Sequence, residues 1–411
     1  MAANRGETPD VLVVGAGLAG LACARDLLSQ GLSVEVLEAS DGVGGRMRTD
    51  RYEGFLIDRG FQVFNTAYPQ VKRRLTLRDL RLRPFTPGVL AHTERGVFRF
   101  VDPSRRPRES GDLRPGRLAG TRDLFCLAAL CGRDMLAPAR LLKRGADHTT
   151  RTELAAAGIS DDLVESFFRP FLSGVFLEDE LETSGRFFHL VWRSMLRGTL
   201  CLPAGGVGAV PAQLAEGLPV RLDTPVRRLT DDGVLLADGG ERAARAVVVA
   251  TRPGPASVWL PGLDVPPYRT VTTYYHVTET PPLREPTLLV DSRRRFLNTC
   301  VLSEVVPGYA PRGLSLVATS VLGEDGTARE AALRSALGEV YGTDTLGWDL
   351  LTTWTVHDAL PVMTPPQPLS RTSRVSPGRY VCGDHRATGS VQGALASGTR
   401  AAREVLRDLR R

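Results

Sequence analysis

The stretch "VLVVGAGLAG", residues 11–20, constrains the fold of this chain more than any other feature. Branched apolar residues run into glycines at 15, 17 and 20, and the small Ala24 follows. A buried strand that stops at a bare turn and restarts as a helix leaves the first helical N–H groups free. The positive end of the helix dipole then faces one spot, where a phosphate is the usual occupant. The spacing gives each glycine a task. Gly15 makes the turn, Gly17 (with Ala16, Leu18 and Ala19) brings backbone close to a pyrophosphate, and Gly20 lets helix and strand pack tightly. The helix is expected over 18–30, ended by Gly31, with a second strand over 33–39. Near its end Glu38, 18 residues beyond Gly20, precedes Ala39. A carboxylate there accepts hydrogen bonds from both ribose hydroxyls of an adenosine and repels a 2′-phosphate. The fold class is therefore α/β, with a Rossmann-type dinucleotide-binding sheet covered on both faces.

One such unit does not use 411 residues, a length that accommodates two domains. Nucleotide-type segments return in the middle, "LPAGGVGAVPAQLAEGLPVRLDTPVRRL" and "GVLLADGGERAARAVVVATRP", and at the end, where "GRYVCGD" precedes a helix over 391–411. The expected organisation is a discontinuous binding domain from 1–59, 203–262 and 375–411. A substrate domain takes 60–202 and 263–374, with helices over 121–144 and 161–172 and strands of a mixed sheet over 268–278 and 314–321.

The bulk numbers narrow the partners. Hydrophobic content of 42% and charged content of 24% fit a soluble globular protein. The formal net charge is +6, but only Lys72 and Lys143 are lysines, and the arginines are spread along the whole chain. That distribution argues against nucleic acid as a partner. The six cysteines form no CxxC and no disulfide framework, and no metal site is expected. The start, "MAANRGETPD", lacks the apolar core of a signal peptide, and no run reaches the roughly 20 apolar residues of a membrane span. A cytoplasmic location is the expectation.

The run "GAGLAGLACARDLLSQGLSVEVLEASDGVGGRMRT" resembles the opening of the flavin amine oxidase, phytoene desaturase and protoporphyrinogen oxidase superfamily. The resemblance implies non-covalent FAD. It places Gly44 and Gly45 beside the pyrophosphate and flavin, Arg46 on the phosphates, and Gly60, Phe61 and Gln62 of "GFLIDRGFQVF" near the isoalloxazine. The ending "YVCGDHRATGSVQGALASGTRAAREVL" is similar to the superfamily's C-terminal FAD segment, with Gly383 and Asp384 as its Gly-acid pair and Gln392, Gly393 and Ala394 as its later triplet. Val226 matches a backbone contact to adenine. Physically, "TGS" at 388–390 caps the last helix, whose N-terminus is suited to negative charge on a reduced flavin.

No second GxGxxG with an acidic-ended strand appears, so electrons are expected from an organic substrate, leaving to dioxygen, a quinone or another acceptor. The resemblance also supplies contrasts. Amine oxidases of the superfamily carry a lysine near the flavin and an aromatic cage residue. Neither Lys72 nor Lys143 lies in a suitable segment, and Val391 stands at the cage position. "SVQGAL" is instead similar to the phytoene-desaturase run, which favours dehydrogenation of a hydrophobic metabolite. An amine oxidase without the lysine, a non-redox flavin isomerase or mutase, and a non-catalytic flavin carrier are the rivals.

Candidate bases are His357, beside Asp358 in "WTVHDALP", and Tyr274 with His276 on one face of "TTYYHVT", Tyr275 being on the other. A structural hydrogen bond or a place at the surface accounts for each more simply. His385 is placed to touch phosphate or ribose. "FFRPFLSGVF" at 167–176 reads as a substrate channel or as core. The apolar helix with basic flanks at 121–144 reads as a peripheral membrane foot or as an internal helix. Oligomeric state is not legible.

Overall fold

Residues 8–410 of the computed structural model are described here; residues 1–7, part of the segment read for a signal sequence, and Arg411 lie outside them. The strand Val11–Val14 sits inside a six-stranded sheet. It pairs in parallel with Val34–Leu37 on one side and Ala246–Val249 on the other. Val220–Arg221 extends the first edge, and Arg379–Val381 with the antiparallel Arg374–Ser376 extends the second. The sheet thus draws strands from the start, the middle and the end of the chain.

Alternation explains why two apolar runs side by side need covering twice. Val11, Val13, Val36 and Val248 face the large core that includes the helix Leu18–Leu28, while Leu12, Val14, Leu37 and Val247 face Val234 and Leu236. The latter two belong to a three-stranded antiparallel sheet of Val226–Leu229, Gly233–Leu236 and Glu241–Ala243. The last helix, Val391–Leu409, lies against the first. A Cβ at Gly398 would stand 2.2 Å from the Ala19 carbonyl oxygen, so only glycine permits that approach.

The second sheet has seven strands in the order Asp349–Pro361, Tyr268–Thr278, Ser315–Leu322, Asn298–Val301, Leu288–Asp291, Gly88–Thr93 and Gly96–Val101. One face carries Tyr274, Val317 and Val321 against Leu333 and Leu337 of the helix Arg329–Tyr341. The opposite face sends Tyr275, Leu316 and Ala318 into the large core that also holds the helix Leu18–Leu28. The stretch 167–176 is core: Phe167 and Phe168 are buried, and Phe167 stacks between Phe100 and Phe171. The expected helix at 121–144 splits into Thr121–Leu136 and Ala139–Leu142, parted at Pro138, which cannot continue a helix.

Candidate active site

The glycine turn forms as its spacing requires. Gly15 has φ of 109°, and a Cβ there would lie 2.7 Å from the Ala250 carbonyl oxygen. A Cβ at Gly20 would lie 2.0 Å from the Gly15 carbonyl oxygen. Gly17 differs. A Cβ there meets nothing within 4 Å, so the protein's own packing does not require glycine at this position. No side chain caps the helix that begins here at Leu18, and its first turn holds no acid. Gly44 is seated on this turn, its N–H donating to the Ala16 carbonyl at 2.8 Å, and Gly45 stacks on Gly17.

Glu38 reaches back over the same turn. Its Oε2 accepts from Ala16 N–H at 2.7 Å, and its Oε1 accepts from the N–H and hydroxyl of Ser40 at 3.0 and 2.7 Å. A carboxylate has roughly four acceptor positions, so capacity remains for ligand hydroxyls. Ala39 follows it, and Val226 lies close by: Thr224 N–H donates to the Glu38 carbonyl, two residues before the strand starts.

Arg46 joins four distant segments. Its guanidinium donates to the carbonyls of Asp358 (2.9 Å) and Ala359 (2.6 Å) and to Asp384 Oδ2 (2.6 Å). Its own carbonyl accepts from Gln62 Nε2 at 2.8 Å. Asp384 is buried, and its other oxygen accepts from the Tyr268 hydroxyl at 3.1 Å; the Tyr268 ring lies under the Arg46 guanidinium. The Arg46 guanidinium, 33% exposed, is thus ion-paired with Asp384 in this structure.

The two carbonyls that Arg46 binds are exposed by a bulge. Val356 pairs with Val271 and Leu360 with Arg269, so three residues of one strand, 357–359, stand against the single Thr270 of its neighbour. The bulge also turns His357 outward. The side chain is 66% exposed and sits 3.3 Å from Glu324, at the surface rather than in a pocket. Tyr274 and His276 also face away from the glycine segments. Both point to the Arg329–Tyr341 side of the sheet, where the Tyr274 hydroxyl bonds Asp325 and His276 Nε2 lies 3.1 Å from Glu330. Burial holds the His276 pKa below its ordinary value.

The opposite parity meets the candidate site. Thr273 Oγ1 accepts from Phe61 N–H at 3.2 Å, and the Tyr275 hydroxyl donates to the Asp58 carbonyl at 2.6 Å. Val356 touches the space over Gly60, whose φ is 85°, and Trp354 stacks on Arg59. Asp58 was not anticipated. Its buried carboxylate accepts from Thr49 Oγ1, Val207 N–H and the Tyr309 hydroxyl, and burial raises its pKa to about 6.

At the C-terminal motif Ser390 caps the last helix by accepting from Gly393 N–H at 3.0 Å, and the Ala394 N–H bonds the Ser390 carbonyl. Those two donors are engaged inside the cap. Gln392 also looks elsewhere, its Oε1 accepting from Gln70 N–H at 2.9 Å. A Cβ at Gly383 would strike the His385 ring. That ring is buried, its Nε2 has no partner, and burial lowers its pKa to about 4.

These residues suit a dinucleotide such as FAD. A side-chain-free surface at Gly17 faces open space, an acid stands beside it, and an orphaned buried nitrogen on His385 follows the Gly-Asp pair. Known proteins agree with that fit. The model of the family described as flavin containing amine oxidoreductase matches residues 18–406. A hydroxysqualene dehydroxylase from Rhodopseudomonas palustris is 29% identical over 442 aligned positions, covering 96% of this chain and 98% of that protein. Protoporphyrinogen oxidase 2 from Arabidopsis thaliana is 35% identical over 115 residues, 28% of this chain and only 22% of that protein. The fold of cyclohexylamine oxidase from Brevibacterium oxydans superposes with a TM-score of 0.69 at 18% identity, covering 98% of this chain and all of that one.

Proposed function

Since the chain belongs to the flavin containing amine oxidoreductase family and is an FAD-dependent oxidoreductase, we propose that it removes a hydride from carbon in a largely hydrophobic metabolite and passes the electrons to dioxygen or another acceptor. FAD, when bound, supplies the two-electron acceptor. The observation that carries this reading is the face of the second sheet that meets Gly60 and Phe61. It presents Trp354 and Val356, side chains that carry no ionisable group, over the buried Thr273. Such a wall excludes water and orients a C–H bond, which hydride removal needs more than it needs a base. The hydroxysqualene dehydroxylase likeness supports an apolar substrate. Both lysines are exposed outside this sheet, Lys72 on the helix Pro69–Arg74 and Lys143 in the turn after Ala139–Leu142, which leaves an amine-oxidase reading without its lysine.

In this reading the binding unit comprises 1–59, 203–262 and 375–411. Gly17, Gly44 and Gly45 give bare backbone to the pyrophosphate, and Glu38 accepts from ribose hydroxyls. The Arg46–Asp384 pair fixes the flanking loops, and the first turn of the last helix offers N–H groups at Val391 and Gln392 to negative charge on the flavin. The test begins with the visible spectrum of the purified protein and mass analysis of the cofactor released by heat. Long-chain isoprenoids, hydroxylated and not, are then screened against primary amines by anaerobic bleaching. Bleaching by isoprenoids alone supports the proposal; bleaching by amines with peroxide release would replace it with the amine-oxidase reading.

A further inference from the structure

We propose that the helix Thr121–Leu136 and the short helix after it form a docking face for the surface of an anionic lipid bilayer. The helix has an inner and an outer apolar side. Leu127 and Leu130 are buried, and Asp134 beside them bonds His189 Nδ1 at 2.8 Å. On the other side Phe125, Ala129, Gly132 and Leu136 recur at helical spacing, with Phe125 75% and Leu136 78% exposed. Leu141 continues the face, 54% exposed. Exposure of this kind does not fit an internal helix, the second reading given to this segment above.

Charge identifies the occupant. Between residues 114 and 144 the sequence holds seven arginines and lysines against two acids, Asp123 and Asp134. Both acids are used inward: Asp123 accepts from the N–H and hydroxyl of Ser160, and Asp134 holds His189 and Arg133. Within this window the charges left at the surface are therefore basic, among them Arg122 on the exposed side of the helix and Arg140, Lys143 and Arg144 beyond it. An apolar ridge flanked by cations suits acyl chains beneath anionic headgroups, each cation contributing roughly fivefold in partitioning near such a surface. No helix among the described residues is long and apolar enough to cross a membrane, so the contact is with one leaflet.

The test is flotation of the purified holoprotein with vesicles of phosphatidylcholine, with and without phosphatidylglycerol, at low and at physiological ionic strength. The expected result is salt-sensitive binding that requires phosphatidylglycerol. It should fall at least about tenfold in the Phe125→Asp/Leu136→Asp variant, and similarly when Arg122, Arg140, Lys143 and Arg144 become glutamine. Retained flavin absorbance shows that the variants fold, and Phe125→Ala/Leu136→Ala serves if the aspartates do not. Absence of flotation, or flotation equal in all variants, overturns the proposal. So does a dimer that the aspartates dissociate while flotation stays unchanged, because a second copy would then cover the face. Binding is read without turnover, so it stands or falls apart from the proposed dehydrogenation.

Discussion

Gly17 separates the two reasons a binding turn has for glycine. Gly15 and Gly20 are required by the fold, because a Cβ at either would collide with backbone. Gly17 meets open space, so Gly17→Ala should change unfolding free energy by less than about 1 kcal/mol while weakening FAD binding at least about tenfold. Gly20→Ala should cost about 1–3 kcal/mol even without cofactor. Denaturant titration of the apoprotein and fluorescence titration with FAD distinguish the two. Spacing makes all three glycines look alike; only the surroundings of each Cβ tell them apart. Two buried titrating groups give the residue scale a second prediction. His385 has a folded pKa of about 4 against an ordinary 6.5, so the unfolded chain binds a proton first and stability falls by about 3 kcal/mol as pH drops through that interval. Asp58 has the opposite sign. Its pKa is raised from 3.8 to about 6, so its contribution is present below pH 3.8 and is lost by about 3 kcal/mol as pH rises to about 6. The two slopes oppose each other between pH 4 and 6. His385→Gln should therefore leave apoprotein that gains stability on acidification through this range, and Asp58→Asn apoprotein that loses it. Matching slopes in both variants would refute the assignment.

At the scale of an element, the strand Tyr268–Thr278 shows where reading a sequence stops. Its alternation is legible, and so are the two sets of side chains, Thr273 and Tyr275 against Tyr274 and His276. Which set meets the site depends on what packs against each face, and those partners lie elsewhere in the chain: Asp58 and Phe61 on one side, Asp325 and Glu330 on the other. Chemistry favoured the histidine face, and packing placed it away from the glycine segments. The bulge at 357–359 leaves little trace beyond Asp358, a residue strands disfavour, yet it exposes the carbonyls that hold Arg46 and turns His357 outward. The consequence is measurable. With whichever substrate bleaches the flavin, His357→Ala and Tyr274→Phe should keep kcat/KM within about twofold, whereas Trp354→Ala should lower it at least about tenfold.

Across the whole molecule the motifs at the two ends were legible as a pair, and the links between them were not. Nothing local in the sequence announces that Arg46 will bond Asp384, 338 residues away, or that Gln392 will satisfy the backbone of Gln70. Arg46 is partly exposed and keeps the two carbonyls, so Asp384→Ala should destabilise by only about 1–3 kcal/mol, yet release flavin. Gly398→Leu, which forces the first and last helices apart, should do the same without touching any group proposed to bind the cofactor. Urea unfolding followed by circular dichroism and by flavin fluorescence measures both.

The parallel sheet also carries a message about biosynthesis. Val11 pairs with Ala246, and the strand beyond that one begins at Arg379. At roughly 5–20 residues per second, the first strand emerges from the ribosome and waits on the order of tens of seconds for its neighbour. The loop that Arg46 tethers is not complete until Asp384 has been synthesised. A nascent chain therefore has its glycine turn long before it has a cofactor site. During that interval an apolar strand stands with one edge unpaired, which makes this segment a natural client for a chaperone.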